Sequence, residues 1–202
     1  MLLSKLLKGH VRRAVIPLAA ALARLGITPN ALTIAGLVLS LAVGVVLGLG
    51  YEVAGGILVL VAGLFDTLDG AVARVSGRVT VFGSFLDSTL DRYSEAAIFC
   101  GLLVLYTRQG RLTEVVLVYA VIIGSLLVSY ARARAEGLGL DCEVGWLQRP
   151  ERIALLGLGL AVGLATPVLW LLAALTNFTV LQRMLHVYRL TQAQDETQRD
   201  GR

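Results

Sequence analysis

Long uncharged runs alternate with short polar breaks along almost the whole chain. Residues 31–50 form an uncharged run of 20, long enough for a helix to cross ~30 Å of hydrocarbon. Tyr51 and Glu52 end that run, and residues 53–75 form a second span, apolar but for the charged residues of its second half. Residues 76–82 (SGRVTVF) are a turn, followed by a third apolar stretch over 83–106. Tyr106 to Arg111 is polar, 113–135 is apolar, and Glu136 to Gln148 is a polar loop. Two more spans are predicted at about 151–166 and 168–187, separated by Thr166-Pro167 and followed by a charged tail from Arg189.

The first 25 residues differ from these runs. Lys5, Lys8, Arg12 and Arg13 interrupt the leucines and alanines, which recur at helical spacing. That pattern predicts an amphipathic helix lying in the membrane interface rather than a cleaved signal peptide. Gly26-Ile-Thr28-Pro29-Asn30 then ends one helix and starts the next, with Thr or Asn as the cap. The expected fold is all-α: an integral membrane bundle of six transmembrane helices preceded by an N-terminal amphipathic interfacial helix. It is read as a single domain over 1–202, with the interfacial helix at 1–25, the bundle at 31–188 and a tail at 189–202.

Composition agrees with a membrane protein. The chain has 202 residues, 56% of them hydrophobic and 16% charged, where a soluble domain carries about 25% charged residues. Mean hydropathy is +0.77. The net charge of +4 reports topology and contact with anionic lipid, and no aromatic-interleaved basic patch points to nucleic acid. Of 18 Lys and Arg residues, only Arg108 and Arg111 fall opposite the chain's starting side, with Arg92 inside the third span. The bias predicts a plasma-membrane protein with both termini in the cytosol. Cys100 and Cys142 suggest no disulfide framework, and His10 and His186 no metal site. Gly36, Gly44, Gly48 and Gly55 fall at spacings that permit close helix packing.

Against this background Asp66, Asp69, Asp87 and Asp91 stand out. Asp66 and Asp69 are three apart and Asp87 and Asp91 four apart, so on helices each pair shares a face. Both pairs fall at one depth, near the starting side. Two like charges ~4 Å apart repel by ~4 kcal/mol at an effective dielectric of ~20. A cation is needed to gather them, and a hard divalent metal is the simplest candidate, since the apolar flanks hold few arginines. An ion path through a transporter is the alternative, but such a path would place its charges near mid-membrane.

The pattern D-x2-D-G-x2-A-R-x8-G-x3-D-x3-D is met at Asp66, Asp69, Gly70, Ala73, Arg74, Gly83, Asp87 and Asp91. Eight fixed positions at roughly 5% each arise by chance in such a chain with probability on the order of 10⁻⁸. The stretch resembles the signature of the CDP-alcohol phosphotransferases, membrane enzymes of phospholipid synthesis. That resemblance implies transfer of a phosphatidyl group from CDP-diacylglycerol to an alcohol, with release of CMP. It implies Mg²⁺ or Mn²⁺ on Asp66, Asp69, Asp87 and Asp91, with Asp91 also the general base for the acceptor hydroxyl. Arg74 would hold a phosphate of the diphosphate. Gly70, Ala73 and Gly83 would let cytidine approach, with Thr80 and Ser84 adding hydrogen bonds. Asn30 either contacts the nucleotide or caps its helix.

A second stretch narrows the acceptor. Ser129-Tyr130-Ala-Arg132-Ala-Arg134-Ala-Glu136 and Arg149-Pro-Glu-Arg152 resemble the branch of the family that uses inositol phosphate. The resemblance implies that Arg132, Arg152 and Arg183 bind the acceptor phosphate, and that the protein is a homodimer. Arg132 replaces the lysine expected there, keeping charge while changing geometry. Without a phosphate these three arginines are expected to be left crowded and unpaired. Glycerol phosphate is the second candidate acceptor.

Overall fold

The computed structural model describes residues 15–200, with side chains described over 15–192. Every regular element among them is helical. Seven helices follow in order: α1 (described over Val15–Arg24), α2 (Pro29–Gly48), α3 (Glu52–Val75), α4 (Val81–Arg108), α5 (Leu112–Glu136), α6 (Arg149–Ala161) and α7 (Ala165–Asp200). Most of the interfacial helix expected at 1–25 lies outside the described residues. Its described part, α1, packs Val15 and Ala19 against Leu32 of α2 and Leu68, Ala71 and Val72 of α3. The expected tail from Arg189 is instead the continuation of α7.

Helix ends follow local chemistry. Thr28 caps α2, its Oγ1 accepting from the Ala31 N–H at 3.3 Å, and Pro29 opens the first turn. Thr28, not Asn30, is therefore the cap. Thr80 does the same for α4, accepting from Gly83 N–H at 2.9 Å. Gly26, Gly50, Gly77, Gly110 and Gly163 end or link helices with positive φ, which glycine adopts without a Cβ clash.

α2 packs against α3 and α4, α4 against α5, α5 against α7, α7 against α6, and α6 back against α3. Helices α2 to α7 thus close a ring. Its apolar core includes Val43, Leu47, Val59, Phe99, Leu102, Leu105, Val118, Leu156, Leu160, Leu169 and Leu172. These residues sit toward the end of the bundle where α2 finishes and α3 begins. Burial of each large side chain contributes roughly 1.5–3 kcal/mol in aqueous terms, but inside a membrane close packing carries more of the cohesion. The α2–α4 crossing shows it. A Cβ on Gly44 would meet the Ala97 carbonyl, and one on Gly101 would meet the Gly44 carbonyl.

Four helices are long and apolar enough to cross a membrane: α2, α3, α5 and α7. The other two expected spans do not meet that measure of length and composition, for two physical reasons. α4 has the length, at 28 residues, but carries Asp87, Asp91, Arg92 and Glu95. α6 is apolar but has only 13 residues, ~20 Å of helix.

A polar cluster ties the end opposite the carboxylates. Arg111 donates to Glu114 and to Thr166, both at 2.7 Å, and its guanidinium lies 4.7 Å from the centre of the Tyr106 ring. Tyr106 donates to Glu52 at 3.1 Å, and Arg108 to the Gly48 carbonyl at 3.2 Å. Cys142 is buried beside Ala135 and Leu140, and burial pushes its thiol up from the ordinary range.

Candidate active site

The carboxylates sit on the C-terminal half of α3 and the N-terminal half of α4. The starts of α2 and α6 bring further groups to the same place. Asp69 is buried. Thr33 of α2 donates to its Oδ2 at 3.0 Å, and the Gly70 N–H to its Oδ1 at 2.5 Å. A carboxylate kept from water needs such donors. Thr33 also donates to the Pro29 carbonyl at 3.1 Å. Sequence reasoning passed over Thr33, whose signal was a hydroxyl inside an otherwise apolar run.

Arg149, the first residue of α6, is the second unanticipated member. Its Nη2 lies 2.7 Å from Asp66 Oδ2 and its Nη1 2.7 Å from Asp91 Oδ1. One guanidinium from α6 therefore joins α3 to α4. Arg92 Nη1 lies 3.4 Å from the other oxygen of Asp91. The expectation that too few arginines stand near the aspartates is corrected here. Arg149 is remote in sequence, and only the ring brings α6 against α3. Asp87 has no hydrogen bond or ion pair with any described residue.

The residues expected around a nucleotide also gather here. A Cβ on Gly83 would come 2.8 Å from Thr80 Oγ1 and 3.3 Å from Asn30 Oδ1, so Asn30 of α2 faces the first turn of α4. Thr80 is occupied by its capping bond, and Ser84 donates to the Thr80 carbonyl at 3.3 Å. The Arg74 guanidinium lies along α3, its Nη1 3.4 Å from where a Gly70 Cβ would stand, and pairs with no described carboxylate. Ala73 is half-buried on the same helix.

The three acceptor arginines take different settings. Arg152 is 1% exposed and meets Glu95 through two bonds of 2.9 Å. Arg183 is buried and donates to the Val144 carbonyl at 2.9 Å and to that of Val128. Arg132 pairs with Glu136 at 2.7 Å and Glu143 at 3.3 Å and stays partly exposed. The expectation that they would be left unpaired is thus corrected: Glu95, Glu136 and Glu143 offset two of them. Arg183 still lies within electrostatic reach of both Arg132 and Arg152.

The donor set is chemically suited to a hard divalent cation, because all four candidate ligands are carboxylates. Among the described residues no three of His, Cys, Asp and Glu come together at ligating distance. Arg149 accounts for the spacing of two of them, since its guanidinium stands between Asp66 and Asp91.

Comparison with known proteins places this arrangement. The model of the CDP-alcohol phosphatidyltransferase family matches residues 26–188. The archaetidylinositol phosphate synthase of Methanothermobacter thermautotrophicus is 37% identical over 185 residues, covering 89% of this chain and 91% of that protein. The crystal structure of Mycobacterium tuberculosis phosphatidylinositol phosphate synthase with CDP-DAG bound superposes with a TM-score of 0.79 at 36% identity, covering 87% of this chain and 94% of that one. The structure of that synthase with manganese and citrate gives 0.80 at 36% identity, over 86% of this chain and 88% of that one. The family match spans the ring of helices and both carboxylate pairs, and the chain belongs to the CDP-alcohol phosphatidyltransferases and is a transferase.

Proposed function

We propose that the protein transfers the phosphatidyl group of CDP-diacylglycerol to inositol phosphate, giving phosphatidylinositol phosphate and CMP. The observation that carries the reading is the meeting of both halves of the motif at one end of the bundle, with Asp66 and Asp91 on a single guanidinium. The names of the similar synthases support the choice of acceptor.

Asp66, Asp69, Asp87 and Asp91 would hold Mg²⁺ or Mn²⁺. When bound, the ion supplies charge neutralisation at the diphosphate and stabilisation of the leaving phosphate. Asp91 accepts the proton of the acceptor hydroxyl as its oxygen bonds to the phosphatidyl phosphorus. The bond from that phosphorus to the bridging oxygen breaks, and CMP leaves. Arg74, without a carboxylate partner among the described residues, is placed to hold a diphosphate oxygen. Gly70, Ala73 and Gly83 keep the adjoining helix faces low for the cytidine, beside Asn30, Thr80 and Ser84. Arg132, Arg152 and Arg183 form the positive end of the site toward the acceptor phosphate, with Arg132 the most accessible of them.

The same reading makes the ring of six helices the transmembrane body, with α4 and α6 sheltered by their neighbours. The carboxylate end and both termini face the cytosol, α1 lies in the interface, and the enzyme is a homodimer in the plasma membrane. Release of CMP from purified enzyme and CDP-diacylglycerol, measured with inositol phosphate, inositol, glycerol phosphate and serine, tests the acceptor. Inositol phosphate is expected to be used best. Equal turnover of free inositol, or preference for glycerol phosphate, overturns the assignment.

A further inference from the structure

Arg149 is an unusual occupant of its position. It is the first residue of α6, where the helix dipole disfavours a positive side chain. Its guanidinium nonetheless turns inward, with one Nη on Asp66 and the other on Asp91 at 2.7 Å each. Its Nε is buried without a hydrogen-bond partner. Arg92, which approaches the other oxygen of Asp91, adds a second positive charge to the same place. Arg152, one turn further along α6, is instead bound to Glu95 through its Nε and Nη2. Among the described residues Arg149's close partners are thus two aspartates, with Glu95 at longer electrostatic range.

We propose that Arg149 is an exchangeable internal counter-cation, a positioning residue that competes with the divalent ion for Asp66 and Asp91. It yields them when a nucleotide diphosphate offers the guanidinium another anion. The inference rests on the reading of those aspartates as metal ligands. A fixed positive charge within roughly 7 Å of a divalent ion lowers that ion's affinity by at least about tenfold at an effective dielectric near 20. Moving the guanidinium onto a phosphate removes that penalty. Metal and nucleotide must then strengthen one another by the same factor, since linkage between two sites is reciprocal.

Titration calorimetry of Mn²⁺ into the purified full-length protein in detergent, with and without saturating CDP, tests this. In wild type, CDP is expected to tighten Mn²⁺ binding at least tenfold. Arg149→Gln is expected to bind Mn²⁺ alone at least tenfold more tightly than wild type and to gain at least tenfold less from CDP than wild type does, the gain that remains coming from contact between diphosphate and ion. Arg149→Lys keeps one charge but cannot reach both carboxylates, and is expected to fall between them; it carries the test if the Gln variant does not fold. Asp87→Asn, which leaves Arg149's partners in place, reports whether the heat comes from the aspartate site. Equal Mn²⁺ affinity and equal CDP coupling in wild type and the folded Arg149 variants overturn the proposal and leave the metal site standing. Absence of Mn²⁺ binding in every protein, or binding unaltered by Asp87→Asn, overturns the metal reading and the proposal with it.

Discussion

At the scale of single residues, Asp91 has the most demanding surroundings. Arg149 takes one of its oxygens at 2.7 Å and Arg92 approaches the other at 3.4 Å. Asp91→Asn keeps the shape and removes the proton acceptor. Turnover is expected to fall by roughly 10²–10⁴-fold while binding of CDP-diacylglycerol is largely retained, measured by CMP release and by calorimetry. Equal loss of both would make Asp91 chiefly a metal ligand. Arg132 offers a parallel test on the acceptor side, because its two glutamate partners leave it partly exposed. Arg132→Ala is expected to raise the KM for inositol phosphate by about 10- to 150-fold, the value of one charge-assisted bond. The affinity for CDP-diacylglycerol should stay within about twofold of wild type.

At the scale of elements, the site depends on how closely helices approach. Asn30 and Thr33 reach α4 and α3 only because α2 crosses α4 at Gly44 and Gly101, where each glycine lies against the other helix's backbone. Gly101→Ala places a methyl group on the Gly44 carbonyl. Overpacking of this kind costs about 1–3 kcal/mol, so a lower Tm in detergent is expected, together with weaker nucleotide binding as α2 moves outward. A Gly101→Ala protein with wild-type Tm would show that the crossing is looser than described. α6 is held to α4 by a different device, the buried pair of Arg152 and Glu95. Glu95→Gln leaves a buried guanidinium without its charge partner, at a cost of roughly 3–5 kcal/mol. Loss of that pair should also shift Arg149, three residues from Arg152 on the same helix. Reduced thermal stability with unchanged Mn²⁺ binding would separate the two effects.

At the scale of the whole molecule, the two ends of the ring are built differently. The far end is tied by Arg111, Glu114 and Thr166, by Tyr106 and Glu52, and by Arg108 on the end of α2. The site end holds the aspartates and most of the arginines. The proposed orientation follows from that asymmetry in Lys and Arg. It is testable with a membrane-impermeant maleimide on intact cells, using Arg78→Cys at the site end and Gln109→Cys at the far end. With the exposed Cys100 replaced by Ser, the remaining Cys142 should stay silent, since it is buried and its thiol is pushed up. Gln109→Cys is expected to label from outside and Arg78→Cys only after permeabilisation. The reverse pattern overturns the orientation.

Much of this protein was legible along the chain because the signals were local. Predominantly apolar runs long enough to span hydrocarbon mark α2, α3 and α5 by composition alone. Asp66, Asp69, Asp87 and Asp91 share helical faces by spacing alone, and their isolation in apolar sequence marks them as functional. What tertiary structure decided was pairing. Arg149 lies far from Asp66 and Asp91 in sequence, and no periodicity relates them; closure of the ring through α6 brings them to 2.7 Å. Thr33 became a partner of Asp69 because α2 packs against α3. Arg152 proved to be committed to Glu95 because two buried opposite charges on facing helices are far more stable together than apart. Charge and spacing can be counted along a chain, whereas the choice of partner for each charge is made by which helices touch.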